Sequence, residues 1–156
     1  MSLMNAKDAI SASLAECYVQ IGDDRYQFMQ AINLEAKMEK TKSEIPILGK
    51  TGKGNKTTGW KGTGSATFHY NTSIFRELLL RYKDTGEDIY FDITVTNEDP
   101  TATVGSQTII LRGCNIDGGI LVKFDADGEY LDEDMDFTFE DWDMPNSFNL
   151  LAGMPQ

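Results

Sequence analysis

The sequence predicts a mainly β fold, an antiparallel β-sandwich or barrel of about seven strands with one flanking α-helix. Several segments alternate apolar and polar residues with a period of two, turn residues separate these segments, and one stretch has helical spacing. The 156 residues, 40% hydrophobic and 25% charged, fit one globular domain at about 150 residues per domain. No apolar run approaches the roughly 20 residues that cross a bilayer, so we expect neither a membrane span nor a membrane partner.

The first part of the chain predicts a hairpin followed by a longer strand. Residues 16–21 are β-prone, and the Gly-Asp-Asp sequence at 22–24 is typical of a turn. Residues 32–39 then alternate, with Ile, Leu, Ala and Met on one parity and polar residues on the other, which indicates a half-buried strand. A helix is the alternative here, because Ala, Leu, Glu, Lys and Met favour helices. Residues 66–70 form the next predicted strand.

One helix and four further strands are predicted downstream. The helix has Ser73 as its N-cap and ends at Gly86, with an apolar stripe between them. The strands are predicted at residues 89–95, 107–112, 116–124 and 134–140. The tail from Met144 to Gln156 contains two prolines and is expected to be irregular.

Residues 49–64 are predicted to form a flexible loop. They contain six glycines, with Lys and Thr between them, and such a stretch cannot bury enough apolar surface to order itself. Its single tryptophan has no local core to hide in, and tryptophan is typical of interfaces. We therefore expect the loop to become ordered on contact with a partner. The residues expected to make that contact are Lys50, Lys53, Lys56, Trp60 and Lys61.

The charge is unevenly distributed along a chain whose net charge is -11. Residues 36–61 contain seven lysines and two glutamates, a local charge of +5, whereas residues 124–156 contain ten carboxylates and neither Lys nor Arg, a local charge of -10. One interpretation is two solvated faces. The other is self-complementarity, in which copies dock head to tail and form rings or filaments.

Two binding motifs come close to known patterns and fail on spacing. A phosphate-binding P-loop needs its second glycine directly before the lysine, and here Asn55 separates them, with no helix to follow. The acidic run from Asp125 has Tyr130 and Asp136 where an EF-hand needs a glycine and a glutamate. We expect an Asp-Gly turn there, with weak cation binding as the alternative, and neither a cofactor nor a metal site.

No catalytic constellation is present in the sequence. His69 is the single histidine, and no nucleophile-elbow G-x-S-x-G occurs, so no enzyme is expected. The two cysteines, Cys17 and Cys114, are expected to be reduced thiols. No export signal is visible, which predicts synthesis in the cytoplasm. A second methionine at position 4 suggests that residues 1–3 are an expression remnant before a single domain at 4–156.

A particular order of sequence segments is also family-specific. It consists of Leu34-Glu35-Ala36-Lys37, Ile45-Pro46-Ile47-Leu48-Gly49, Thr51-Gly52-Lys53-Gly54, Gly59-Trp60-Lys61-Gly62-Thr63-Gly64, the lone helix at 72–82, Val95-Thr96-Asn97-Glu98-Asp99-Pro100 and Met135-Asp136-Phe137-Thr138-Phe139-Glu140-Asp141. This order resembles the tail tube (core tail) protein of contractile-tailed phages, in the version carried by PBSX-like defective prophages. The resemblance covers the chain from Met4 onward.

The resemblance implies a phage tail tube or type VI secretion tube fold and a structural role. It implies six-membered rings that stack into a hollow tube inside a contractile sheath, with further copies of the chain, sheath, baseplate and tail terminator as partners. It also implies synthesis in the host bacterial cytoplasm and assembly into a phage-like tail particle. In related tubes the loop at the position of residues 49–64 reaches neighbouring subunits, so this loop becomes the expected inter-subunit contact.

The acidic surplus suggests a tube wall that repels DNA and therefore shows no stable DNA binding. Asp134, Asp136 and Glu140 lie on one parity of their strand and are candidates for that wall, although an outer, sheath-facing position is equally open. The alternative function is a small nucleic-acid-binding module that uses the Lys/Gly/Trp loop, against which the net charge argues.

Overall fold

A computed structural model describes residues 3–11, 13–28 and 31–151. In these residues the chain forms a short 3₁₀ helix at Ala6–Asp8, one α-helix and eight strands. The α-helix, α1, spans Ile74–Thr85. The strands are β1 (Ala15–Ile21), β2 (Asp24–Gln27), β3 (Ala31–Pro46), β4 (Lys53–His69), β5 (Phe91–Glu98), β6 (Ser106–Ile116), β7 (Asp132–Phe139) and β8 (Asp141–Asn146).

The strands form two antiparallel layers joined through β6. The pairing order is β2-β1-β5-β6-β7-β4-β3, and β8 also pairs with β6. Along one side of β6, residues 108–112 pair with β8, whereas Asn115 and Ile116 pair with β7. Gly113 lies between these two partners with a φ of +66°, a conformation that glycine adopts without steric cost. The sheet therefore divides into layer A (β2, β1, β5, β6 and β8) and layer B (β7, β4 and β3).

The core lies between the layers, and α1 closes one end of it. Layer A contributes buried side chains such as Ile93, and layer B contributes Phe68 and Phe137. Phe75 of α1 enters the same cluster, where its ring centroid lies 5.5 Å from that of Phe68. The predicted mainly β fold with one flanking helix is confirmed. The described residues contain eight strands, where about seven were predicted, and β8 lies partly in the tail that was predicted to be irregular.

The helix boundaries follow the prediction with one change at the N-terminus. Gly86 ends α1 with a φ of +75°, and its N–H donates to the Tyr82 carbonyl at 2.8 Å. Ser73 precedes the helix, but its hydroxyl makes no capping hydrogen bond. The Thr72 hydroxyl accepts from the Ile74 N–H instead, at 3.4 Å.

Two predicted segments are corrected. The prediction of a flexible loop at 49–64 is wrong in its secondary structure, because residues 53–64 belong to β4 and pair with β3. The predicted strand at 116–124 is also wrong. The preceding strand continues through Gly113 to Ile116, and residues 117–131 are irregular. The Asp-Gly turn is present, with the Asp127 N–H donating to Asp125 Oδ1 at 3.1 Å.

Both cysteines are free thiols, as predicted. Burial raises the pKa of Cys17 to about 11 and that of Cys114 to about 12. No helix among residues 3–11, 13–28 and 31–151 is long and apolar enough to cross a membrane. Of the expected expression remnant at 1–3, residues 1 and 2 lie outside the described residues.

Candidate assembly surfaces

The β3–β4 hairpin extends beyond the rest of the sheet as a two-stranded arm. Gly62 is the first β4 residue that pairs with β7, whereas the β3–β4 pairing continues outward to Pro46 opposite Lys53. We define the arm as residues 41–59. Every β3 residue from Glu35 onward is exposed. A two-stranded hairpin without a third strand or a covering helix is only marginally stable in water, so the arm gains stability from any surface that covers it.

The tip of the arm is a tight turn that presents a leucine. The Lys50 N–H donates to the Ile47 carbonyl at 3.2 Å, and Gly49 has a φ of +85°. A positive φ at the third position favours glycine and identifies a type II-like turn. Leu48 occupies the second position and is fully exposed. Sequence reasoning missed this residue, although an Ile-Pro-Ile-Leu run beside a glycine-rich stretch was a signal.

The residues predicted for partner contact lie in two places. Lys53 and Lys56 lie on the arm and Lys50 lies at its tip, and all three are exposed. Trp60 and Lys61 lie at the base of the arm. Trp60 is 39% exposed and its ring centroid is 6.1 Å from that of Phe139, so this tryptophan does have a local packing partner, contrary to the prediction.

The outward face of layer B is polar on all three strands. Along β7 the residues Glu133, Met135, Phe137 and Phe139 are buried, whereas Asp134, Asp136 and Thr138 are exposed. Across the ladder these exposed residues pair with Thr67, Ser65 and Thr63 of β4, and the latter two pair with Glu35 and Lys37 of β3. The Thr67 hydroxyl donates to Asp134 Oδ1 at 2.7 Å. The predicted alternation of Asp134 and Asp136 against the apolar residues therefore agrees with their exposure.

Glu140 lies apart from the other two predicted acidic residues. It follows the end of β7, its N–H donates to the Arg112 carbonyl at 3.0 Å, and its side chain packs beside Gly113. The structure thus brings Asp134 and Asp136 together on β7 and places Glu140 at the point where layer A and layer B separate.

A second exposed apolar surface lies in the irregular segment after β6. We call residues 120–124 the knob. Leu121, Val122 and Phe124 of the knob are 66%, 84% and 86% exposed. Exposed apolar side chains in close succession are typical of interaction sites in soluble proteins. Sequence reasoning missed the knob because the same apolar residues were interpreted as a core strand.

Hydrogen bonds from the body of the protein hold the backbone of the knob. Arg76 of α1 donates through Nη1 to the Ile120 carbonyl at 3.3 Å, and the Tyr70 hydroxyl donates to the Leu121 carbonyl at 3.2 Å. The Arg76 guanidinium also lies 4.4 Å from the centre of the Tyr70 ring. The Lys123 ammonium donates to the Asp132 carbonyl at 2.7 Å. These bonds fix the position of the knob while its side chains face solvent.

Arg76 is also the cationic partner of a buried carboxylate. Its Nη1 lies 2.6 Å from Glu133 Oε2, and the two side chains are 19% and 8% exposed. The other oxygen, Glu133 Oε1, is buried and has no hydrogen-bond partner among the described residues. Arg76 of α1 therefore links to β7 through this ion pair and to the knob through its hydrogen bond with the Ile120 carbonyl.

An apolar groove opens between the layers on the side of β3 and β8. Its volume is about 330 Å³, and the Trp142 Nε1–H donates to Met38 Sδ at 3.2 Å at its wall. The other lining residues include Leu34, Val95, Ile109, Leu111 and Asn97.

His69 and the acidic run belong to no metal-binding group of side chains among the described residues. The His69 ring packs against Tyr130 with centroids 5.5 Å apart. Among the described residues, no group of three or more His, Cys, Asp or Glu side chains is placed to hold a metal ion. The prominent features of the described surface are thus an arm, a knob, a polar sheet face and a groove.

Comparison with known proteins identifies the family. A family model described as phage tail tube protein matches residues 2–146. The phage-like element PBSX protein XkdM of Bacillus subtilis (strain 168) is 40% identical over 115 residues, which cover 74% of this chain and 78% of that protein. The chain belongs to the phage tail tube protein family and is a structural, non-enzymatic tube subunit of contractile phage-like tails.

Solved structures show the same fold at low sequence identity. A chain of the sheath-tube complex of the PVC extracellular contractile injection system, in the extended state, aligns with a TM-score of 0.66 at 12% identity, over 91% of this chain and 95% of that chain. A chain of the anti-feeding prophage baseplate aligns with a TM-score of 0.64 at 11% identity, over 92% of this chain and 97% of that chain. These likenesses show the fold, whereas the family and the PBSX relative make the chain a component of a phage-like tail particle.

Proposed function

We propose that the chain forms the tail tube by closing into six-membered rings that stack, and that the arm carries the contact between subunits. The observation that carries this proposal is the arm itself, which leaves the body beyond Gly62 with its fully exposed Leu48 at the tip. A basic arm on a chain with an acidic C-terminal part favours heterologous, head-to-tail association. Such contacts give rings when the rotation closes.

The free edge of β3 supports the same proposal. This strand has 16 residues, ends the pairing order, and exposes Ile32 and Met38. Natural proteins protect long edge strands because unpaired N–H and C=O groups bind other strands. An edge of this length is covered in the assembly by a neighbouring subunit.

The outward face of layer B is proposed as the wall of the tube lumen. Its exposed residues are hydroxyls and charged groups, with Asp134 and Asp136 on β7. A polar wall without exposed aromatic rings has no surface on which nucleobases stack, and its carboxylates repel phosphates. Glu140 lies beyond the end of β7 and contributes to the wall at its rim.

The tail sheath, baseplate and tail terminator are the proposed partners of the stacked rings. The sheath-tube and baseplate assemblies that contain chains of this fold support this proposal. We further propose that residues 4–156 form a single tube domain, that the chain is made in the host bacterial cytoplasm, and that it then enters the tail particle.

Shortening the arm is expected to abolish assembly and to preserve the fold. Lys42 pairs with Thr57, so replacing residues 43–56 with Asn-Gly closes the hairpin across an existing pair with a two-residue turn. No other strand in the described part of the chain pairs with the deleted ladder. Electron microscopy over a concentration series should show stacked rings for the parent chain and none for the variant, while circular dichroism and thermal unfolding of the two remain similar.

A matched control keeps the arm length and changes only its chemistry. Thr58 lies on the arm, and Thr58→Ala removes a hydroxyl that donates to the Thr41 carbonyl at 3.2 Å. This variant should still assemble. Assembly of the shortened variant into rings like those of the parent would contradict the proposal.

The tube protein is expected to have no measurable affinity for DNA at physiological salt. The net charge of -11 opposes phosphate binding, and Lys37 of the outward face is already paired with Glu39 at 3.1 Å. Fluorescence anisotropy with labelled duplex and single-stranded DNA measures this. Micromolar binding that weakens steeply with salt and disappears when Lys50, Lys53, Lys56 and Lys61 become Gln would instead favour a nucleic-acid-binding function.

A further inference from the structure

The knob has the features of a preorganised docking surface. Its backbone is held at the carbonyls of Ile120 and Leu121 by Arg76 and Tyr70. Its apolar side chains remain 66% to 86% exposed. An apolar surface on a fixed backbone loses little conformational entropy on binding, which favours contact with another protein.

Unpaired acidic residues follow the knob directly. Asp125, Asp127 and Glu129 make no ion pair within the described residues, and Asp127 and Glu129 also make no side-chain hydrogen bond there. The two cations that contact the knob are already paired, Lys123 with Asp132 at 3.1 Å and Arg76 with Glu133 at 2.6 Å, among the described residues. The surface therefore combines exposed apolar side chains with a flanking negative charge.

The arm tip has the complementary chemistry. Leu48 is fully exposed at the turn, and Lys50 and Lys56 have no ion-pair partner among the described residues. Lys53 has only a distant pair, with Glu44 at 3.9 Å and both side chains more than half exposed. An exposed pair of that kind contributes little to stability, so its lysine is available to another carboxylate.

We propose that the arm tip of one subunit docks on the knob of a second copy of the chain, with Leu48 against the apolar side chains of residues 121–124 and the arm lysines facing the carboxylates of residues 125–129. This proposal rests on the proposed assembly and names the surface that receives the arm. Because the two surfaces differ, the contact is heterologous and propagates from copy to copy instead of closing as a two-fold dimer.

Disulfide trapping tests the contact directly. A Leu48→Cys chain is mixed with a Val122→Cys chain and oxidised under assembly conditions with copper phenanthroline. The native thiols stay protonated, because burial raises the pKa of Cys17 to about 11 and that of Cys114 to about 12. The expected result is a cross-linked dimer in the mixture at a yield about tenfold above either chain alone, since docking raises the local thiol concentration.

Two other acceptor positions make the result specific. Leu80→Cys places an exposed thiol on α1, and Asn97→Cys places one at the apolar groove. Both should cross-link to Leu48→Cys no better than the background. Equal trapping at Leu80, or preferential trapping at Asn97, would overturn the proposal, and the latter result would make the groove the acceptor.

Charge reversal provides an independent test of the same contact. Lys50→Glu with Lys56→Glu should abolish assembly, and so should Asp127→Lys with Glu129→Lys. Combining all four substitutions in one chain should restore it. If the parent chain forms stacked rings but the combined variant stays dissociated and the trapped dimer is absent, the docking proposal fails and the proposed assembly stands. If the parent forms no rings at any concentration and no trapped dimer appears, both fail.

Discussion

Replacing Arg76 with Met is expected to lower the free energy of unfolding by about 3 kcal/mol. The substitution leaves the Glu133 carboxylate buried at 8% exposure without its cation, while Oε1 already lacks a partner among the described residues. It also removes the hydrogen bond to the Ile120 carbonyl. Urea denaturation followed by circular dichroism measures the loss.

A matched arginine on the same helix serves as the control. Arg81 is exposed and makes no ion pair in the described part of the chain, so Arg81→Met should change the stability by less than about 0.5 kcal/mol. Adding Glu133→Gln to Arg76→Met should recover part of the loss, because a neutral amide is cheaper to bury than an unpaired carboxylate. An Arg76→Met loss no larger than that of Arg81→Met would contradict the buried ion pair.

Gly64→Val is expected to cost about 3 kcal/mol, at the upper end of the usual range for an overpacked core. A Cβ at Gly64 would lie 2.3 Å from Cζ of Phe137, a ring that is 1% exposed and enclosed by the core. The same arrangement recurs two pairs along the ladder, where a Cβ at Gly62 would lie 2.4 Å from the Phe139 ring. These glycines of β4 therefore make room for the aromatic residues of β7.

The same substitution on the arm should not lower the stability. Gly59 has nothing within 4 Å of its Cβ position and no positive φ. Valine favours strands over glycine by up to about 1 kcal/mol, so Gly59→Val should be neutral or stabilising. Thermal unfolding of the two variants separates a packing requirement from a strand preference. Equal losses at the two positions would show that packing against Phe137 is not the cause.

Local alternation predicted the strands whose one face is buried. The segments at 89–95 and 134–140 alternate because one parity enters the core, while the other is half-buried in β5 and exposed in β7. The strand predicted from the apolar run at 116–124 was wrong for the converse reason. Its Val122 and Phe124 serve an exposed surface, and composition does not distinguish a core strand from such a surface.

The glycine-rich segment shows a different reason for failure. Residues 53–64 have a loop-like composition, yet the long β3 strand supplies a hydrogen-bond ladder that orders them. Pairing between distant segments overrides local propensity in this way. The lysines on the arm were singled out from sequence, and their contact with a neighbouring subunit stays a prediction. Leu48 and the knob required the structure to show which apolar side chains remain outside the core.

Helical cryo-electron microscopy of the assembled protein can show the ring and the position of each arm. We expect stacked rings of six subunits, with each arm in contact with a neighbouring subunit and with the outward face of layer B, including Asp134 and Asp136, toward the lumen. Ordered rings in which the arms contact no neighbour, or a chain that stays a monomer or an isolated two-fold dimer at every concentration and salt, would contradict it.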